Sequence, residues 1–177
     1  MDNCLKMKNK YQEVSETSFN KINEAISVYA QKKSTSSLFK INSDRNSFDD
    51  FFKNKMLIIN TIRQGLPYDL FLKIKDITPF TEDDWAEYLN VSKKTLQRNS
   101  AIENYLFKPI HTEKIIELAE VTNFGLEVFD TLEQFYLWLN TPSFALGNLK
   151  PAELLKDSYG KELVMDELNR IDQGIFA

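Results

Sequence analysis

The chain has 177 residues, of which 42% are hydrophobic and 27% are charged, as is usual for a folded domain. Its single cysteine excludes an internal disulfide, and with only one histidine the chain offers too few ligands for a typical zinc site, so we expect no metal and no cofactor. Apolar runs fall well short of the roughly 18 residues that cross a bilayer. The first residues lack the apolar segment of a secretory signal, so we expect a cytoplasmic protein without a membrane anchor.

Positive charge is concentrated at the start of the chain. Ten Lys/Arg against seven Asp/Glu give residues 1–56 a net charge of +3, whereas residues 57–130 and 131–177 carry −4 and −3. We interpret residues 1–47 as a variable, basic N-terminal arm. One short helix is predicted in it from the spacing of Phe19, Ile22, Ile26 and Tyr29, and a Ser- and Lys-rich linker follows.

From Ser47 onward, helix signals are frequent and strand signals are scarce. Ser47 and Asp50 have the spacing of a capping box, and the helix that they open can run to Gly65. Pro67 suits the first position of the next helix. The buried stripe of that helix is predicted to be Leu70, Phe71 and Ile74.

Three further helices are predicted in the second half of the chain. One opens at Pro109, and its apolar face is predicted to comprise Ile115, Ala119, Thr122, Leu126 and Phe129. Another runs from Thr131 to Leu139, and the last from about Ser158 to Gln173. An apolar line along the last helix is formed by Val164, Leu168, Ile171 and, past its end, Ile175. The fold is therefore predicted to be all-α.

Residues 81–98 have the pattern of a helix-turn-helix. Thr81 can cap the first helix, with Asp84 returning the hydrogen bond. The motif also needs a small residue at the helix crossing, a turn residue that tolerates positive φ, an apolar residue directly after the turn and another on the second helix. The segment supplies them as Ala86, Asn90, Val91 and Leu96.

The second helix of this motif carries the candidate DNA contacts. Its N-terminal half is the part that enters a major groove, where Gln and Arg can read base edges and Lys binds phosphate. The candidate DNA-binding residues are Ser92, which caps the helix, and Lys93, Lys94, Thr95, Gln97 and Arg98. Because four carboxylates precede this helix, we expect a monomer to bind DNA weakly without dimerisation or the basic arm. They are Glu82, Asp83, Asp84 and Glu87.

The last forty residues form a distinctive series of turns and apolar positions. They contain Trp138-Leu-Asn-Thr-Pro142, Ala145-Leu-Gly147, Pro151, and Arg170-Ile to Gly174-Ile-Phe-Ala177. The last residues of a domain are usually polar and mobile, whereas apolar residues continue to the end of this chain. Ile175 and Phe176 must therefore pack either on the protein's own core or on a partner.

On these motifs, residues 48–177 resemble the Xre/MbcA/ParS antitoxins of bacterial toxin–antitoxin operons, above all those paired with RES-domain toxins. The resemblance implies an Xre-like helix-turn-helix domain at 48–130 and a small helical toxin-binding domain at 131–177. It implies a homodimeric type II antitoxin that neutralises its cognate toxin and represses its own operon by binding operator DNA. RES toxins resemble ADP-ribosyltransferases and consume NAD, so the enzyme active site would belong to the partner.

We expect the terminal helix to dock at the toxin's catalytic cleft, with carboxylates as an anionic decoy and apolar residues as anchors. The candidate toxin-binding residues are Asp166, Arg170, Asp172, Gly174, Ile175, Phe176 and Ala177. Arg170 can pair with Asp166 or cross the interface. A supporting core is predicted from Trp138, Pro142, Leu146 and Leu155. The alternative function is a helix-turn-helix transcription regulator whose C-terminal domain binds another ligand or only dimerises; an enzyme is disfavoured.

Overall fold

A computed structural model describes residues 16–33 and 48–175 of the chain. The regular elements in these ranges are helical, which confirms the predicted all-α fold. The helices are α1 (Glu16–Lys33), α2 (Phe48–Lys53), α3 (Lys55–Gln64), α4 (Tyr68–Ile77), α5 (Glu82–Tyr88), α6 (Lys93–Ser100), α7 (Pro109–Val128), α8 (Leu132–Leu139), α9 (Pro151–Leu154) and α10 (Ser158–Asp172). A 3₁₀ turn, Phe144–Leu146, lies between α8 and α9. None of the described helices is long and apolar enough to cross a membrane.

The predicted N-terminal helix is present as α1 and packs against α4 and α2. Its apolar residues Ile22, Ile26 and Tyr29 are buried. The backbone N–H of Phe48 donates to Asn23 Oδ1 at 2.7 Å, which ties α1 to the start of α2. Part of residues 1–47 therefore packs on the domain that follows. The boundary at residue 47 stays a prediction, and both the Ser47 cap and most of the linker lie outside the described residues.

The single helix predicted from Ser47 to Gly65 is wrong, because Asn54 divides it into α2 and α3. The side chain of Asn54 accepts a hydrogen bond from the backbone N–H of Leu57 at 3.0 Å and so caps a new helix. Gly65 ends α3 at a φ of +88°, as expected of a terminating glycine. Pro67 lies one position before the first residue of α4 rather than at it.

The long helix α7 is the central element on which the C-terminal helices pack. Its predicted face is confirmed at Ile115, Ala119 and Thr122, which are buried. Leu126 is half-buried, and Phe129 follows the last helical residue and packs on Trp138, with ring centroids 5.7 Å apart. This helix therefore connects the helix-turn-helix to the region after residue 130.

The C-terminal domain buries one face of α10 against α7. Val164 and Leu168 on this face are fully buried. Of the four residues predicted for the supporting core, Leu155 is fully buried and Trp138 and Leu146 are half-buried, so three contribute to packing. The expectation that Pro142 belongs to this core is wrong. It is exposed in the turn after α8, where a proline restricts the backbone without burying its ring.

Polar contacts also fix α10 on α7. The Lys161 ammonium lies 2.7 Å from Glu120 Oε2, and the Ser158 hydroxyl donates to Glu117 Oε1 at 2.9 Å. Burial acts to raise the pKa of Glu120. The hydrogen bond and charge of Lys161, with a smaller effect of Lys55, outweigh it and hold this pKa below its usual value.

Lys161→Met is expected to lower the free energy of unfolding by about 1–2 kcal/mol at pH 7, because it removes the main ion-pair partner of the partly buried Glu120 carboxylate. A carboxylate whose pKa is depressed by folding stabilises above its unfolded pKa and loses that effect as the pH falls through its folded pKa. The difference in the free energy of unfolding between variant and wild type, measured by urea unfolding, should therefore become smaller below about pH 4. An equal loss at pH 7 and at pH 3 would contradict this role of Glu120.

Candidate DNA and protein interfaces

Helices α5 and α6 meet in the geometry that the sequence predicts for a helix-turn-helix. Asn90 has a φ of +50°, and the backbone N–H of Val91 donates to the carbonyl of Ala86 at 3.0 Å, which closes the turn. Ala86 is buried at the crossing, and Leu96 is buried on α6. The small residue allows the helices to approach closely, and the leucine anchors the second helix to the core.

Both helices of the motif begin at the predicted caps. At α5, the backbone N–H of Asp84 donates to Thr81 Oγ1 at 3.2 Å and the N–H of Thr81 donates to Asp84 Oδ2 at 2.7 Å. At α6, the N–H of Thr95 donates to Ser92 Oγ at 3.1 Å. These local bonds fix where α6 starts and so which side chains occupy its first two turns.

The candidate DNA-binding residues are brought together on one short helix. Five of them are exposed, and Thr95 is half-buried beside the Ser92 hydroxyl, 2.9 Å away. Two of the six already contact α5. The Lys93 ammonium forms an ion pair with Asp83, and Gln97 Nε2 donates to Glu82 Oε1 at 3.2 Å. Their contact with DNA stays a prediction.

Helix α5 also contacts the C-terminal domain, through residues that no sequence pattern connects. The Tyr88 hydroxyl donates to the carbonyl of Ala152 at 3.0 Å, and the Lys156 ammonium lies 2.8 Å from Glu87 Oε1. Burial, reinforced by the charges of Asp84 and Glu87, raises the pKa of Tyr88 well above its usual value, so the hydroxyl remains a donor at physiological pH.

The candidate toxin-binding residues lie along α10 and just after it. Asp166 and Asp172 are exposed, and Arg170 is half-buried. The pairing of Arg170 with Asp166 is wrong, because the Arg170 Nε lies 3.4 Å from Glu167 Oε2 instead. Residues three and four apart are both neighbours on a helix, and here the arginine pairs with the more buried carboxylate.

The end of α10 has the reverse turn that the glycine predicts. Gly174 has a φ of +70°, its N–H donates to the carbonyl of Ile171 at 2.9 Å, and the N–H of Ile175 donates to the carbonyl of Arg170 at 2.8 Å. This pair of bonds is a Schellman motif. Ile175 is 54% exposed, so the described fold does not bury it. Phe176 and Ala177 lie outside the described residues.

Further apolar side chains are exposed in the C-terminal domain and were not singled out from the sequence. Phe144 and Tyr159 are more than 80% exposed. Leu137, Leu149 and Leu163 are also exposed. Helical spacing alone does not separate them from core positions, since their exposure depends on how α8, the 3₁₀ turn and α10 pack. Together with Ile175 they leave this domain with several unburied apolar groups.

The geometry defines a helix-turn-helix protein with a C-terminal helical domain. Residues 58–120 match the family model of the antitoxin Xre-like helix-turn-helix domain, and residues 125–174 match that of the antitoxin Xre/MbcA/ParS C-terminal toxin-binding domain. The chain belongs to the Xre/MbcA/ParS family of antitoxins. It is similar to a chain of the crystal structure of the M. tuberculosis MbcT–MbcA toxin–antitoxin complex, with 23% identity, a TM-score of 0.44, and coverage of 55% of this chain and 86% of that chain. No curated protein sequence matches it.

Proposed function

We propose that this chain is a cytoplasmic, homodimeric type II antitoxin that neutralises a RES-type, NAD-consuming toxin through its C-terminal region. It represses its own operon through the helix-turn-helix and has no catalytic activity of its own. The observation that carries the proposal is the union, on one chain, of an Xre-like helix-turn-helix and a toxin-binding domain of this antitoxin family. The partner of such a domain is a toxin, and α6, the second helix of the helix-turn-helix, would bind the operator DNA.

On the toxin side, the end of α10 supplies two kinds of group. Asp166 and Asp172 are exposed carboxylates, which suit the Arg and Lys side chains that hold the phosphates of NAD in an enzyme cleft. Ile175, half-exposed just after the glycine turn, provides an apolar anchor beside them. Docked together, these groups would close the toxin's active site to its substrate.

On the DNA side, Lys94 and Arg98 are exposed, and neither has an ion-pair partner among residues 16–33 and 48–175. They can therefore contact phosphate or base edges without breaking an internal ion pair. One α6 helix supplies few contacts and the whole chain carries a net charge of −4. Two copies on a two-fold operator would double the phosphate contacts, which is why the proposal includes a dimer.

Co-expression with the protein encoded by the adjacent gene tests the proposal. The chain should restore growth, co-purify with that protein and preserve cellular NAD. A reporter fused to its own upstream DNA should be repressed. Arg98→Ala is expected to weaken operator binding by about 1–3 kcal/mol and to leave rescue intact, whereas Arg63→Ala, also exposed but on α3, should affect neither. Growth rescue without NAD preservation would reject the RES chemistry, and an unrepressed reporter would reject autorepression.

A further inference from the structure

Two of the side chains that would contact DNA are held by carboxylates of the preceding helix. Lys93 is paired with Asp83, and the amide of Gln97 donates to Glu82. The lysine and aspartate side chains are 53% and 67% exposed, so solvent and ions reach the pair and it can open. DNA binding through these residues therefore has to replace contacts that already exist within the protein.

We propose that Glu82 and Asp83 form an autoinhibitory contact that lowers the affinity of α6 for DNA; this inference rests on the proposed DNA-binding function. A phosphate must displace Asp83 to reach Lys93, and a base edge must compete with Glu82 for the Gln97 amide. Once displaced, both carboxylates remain near the DNA backbone, where they repel phosphate and retain cations. The two carboxylates thus oppose DNA binding in two ways: they must first be displaced, and they then repel the bound phosphates.

The other charged groups near α6 do not act on it in this way. Asp84 is engaged by the Thr81 cap, and Glu87 is paired with Lys156 of the C-terminal domain. Among the four acidic residues of α5, the contacts to α6 thus come from Glu82 and Asp83. The inhibition is therefore predicted to act on one phosphate-binding side chain and one base-reading side chain, and to spare Lys94 and Arg98.

Acidic residues in the first turn of a helix also have an ordinary role, because they stabilise its positive N-terminal end. That role needs no contact with α6 and is shared by Glu133 in the first turn of α8. The matched control is Asp130→Asn with Glu133→Gln. It also removes one aspartate and one glutamate charge near a helix start, but at α8, outside the helix-turn-helix. Glu82→Gln with Asp83→Asn removes the charges that face α6.

The test measures fluorescence anisotropy of a labelled 30-base-pair duplex of mixed sequence with the full-length proteins at several KCl concentrations. The Glu82→Gln/Asp83→Asn variant is expected to bind about threefold to tenfold more tightly than wild type at low salt. The slope of log K against log [KCl] is expected to be more negative than that of wild type by up to about one, because the binding of one more phosphate releases about one more cation. The control variant should match wild type in both. Thermal unfolding of all three proteins verifies that they are folded.

A double-mutant cycle gives a second readout that a purely structural role would not change. Lys93→Ala is expected to weaken binding more in the Asp83→Asn background than in wild type, because only there is the lysine free beforehand. Additive effects of Lys93→Ala and Asp83→Asn on the affinity for DNA would overturn the autoinhibitory contact and leave the DNA-binding function standing. The same conclusion would follow if wild type binds DNA and the Glu82→Gln/Asp83→Asn variant binds no more tightly than the control variant. Absence of binding by every protein, also to the chain's own upstream DNA, would overturn the DNA-binding function together with the autoinhibitory contact.

Discussion

A chain shortened after Gly174 is expected to fold normally and to lose protection against the toxin. The backbone N–H groups of Gln173 and Gly174 still cap the carbonyls of Asn169 and Ile171, so α10 keeps most of its C-terminal hydrogen bonds. The shortened chain lacks the half-exposed Ile175, the proposed apolar anchor. Loss of one central anchor commonly costs about 2 kcal/mol or more, which is roughly a 30-fold weaker complex.

Growth rescue and the dissociation constant of the purified pair measure this effect, and a melting curve verifies the fold. Ile175→Asp should reproduce the loss with the backbone intact. Ile59→Asp is the control, because Ile59 is also exposed but lies on α3, outside residues 125–174 that match the toxin-binding domain. If the shortened chain is folded and binds toxin as tightly as wild type, then the proposed docking of the tail is wrong.

Gly160→Ala is expected to disrupt the C-terminal domain. Gly160 is buried in the first turn of α10, and a Cβ there would lie 2.0 Å from the carbonyl oxygen of Leu154 and 2.7 Å from its carbonyl carbon. The obstacle is backbone, so no side-chain rotation relieves it, and α9 and α10 would have to separate. We expect a loss of about 2–4 kcal/mol in the free energy of unfolding, with toxin binding lost as a result.

Gly147→Ala is the matched control for this substitution. Gly147 has a φ of +68°, but a Cβ there meets open space, so only the backbone strain of about 1 kcal/mol should appear. Urea unfolding compares the two variants, and limited proteolysis locates the damage on the C-terminal side. A Gly160→Ala protein as stable as Gly147→Ala would show that α9 and α10 separate without cost, contrary to the packing described.

The features that the sequence predicts correctly are those set by local chemistry. The Thr81 and Ser92 caps, the positive φ of Asn90 and the reverse turn at Gly174 each depend on a few neighbouring residues. Asn54 shows the limit of this reasoning. An asparagine within an apolar helical pattern is compatible with one continuous helix or with two, and the surrounding packing decides between them.

Contacts between distant residues were beyond sequence reasoning for a physical reason. The pairs Lys161–Glu120 and Tyr88–Ala152 join residues that are 41 and 64 positions apart, and only the packing of α10 and α9 on the other helices brings them together. The role of α6 as the helix with the candidate DNA contacts was predictable, because it follows the turn of the helix-turn-helix. Its contacts with Glu82 and Asp83 depend on the angle between α5 and α6, which no spacing rule specifies at the scale of a hydrogen bond.

The seven residues of α5 touch both neighbours, with Glu82 and Asp83 facing α6 and Glu87 and Tyr88 facing the C-terminal domain. Two helical turns offer little room for one end to change while the other stays fixed. Under the proposed function, a substitution in α5 that shifts its packing on the C-terminal domain is therefore expected also to change the affinity of α6 for operator DNA.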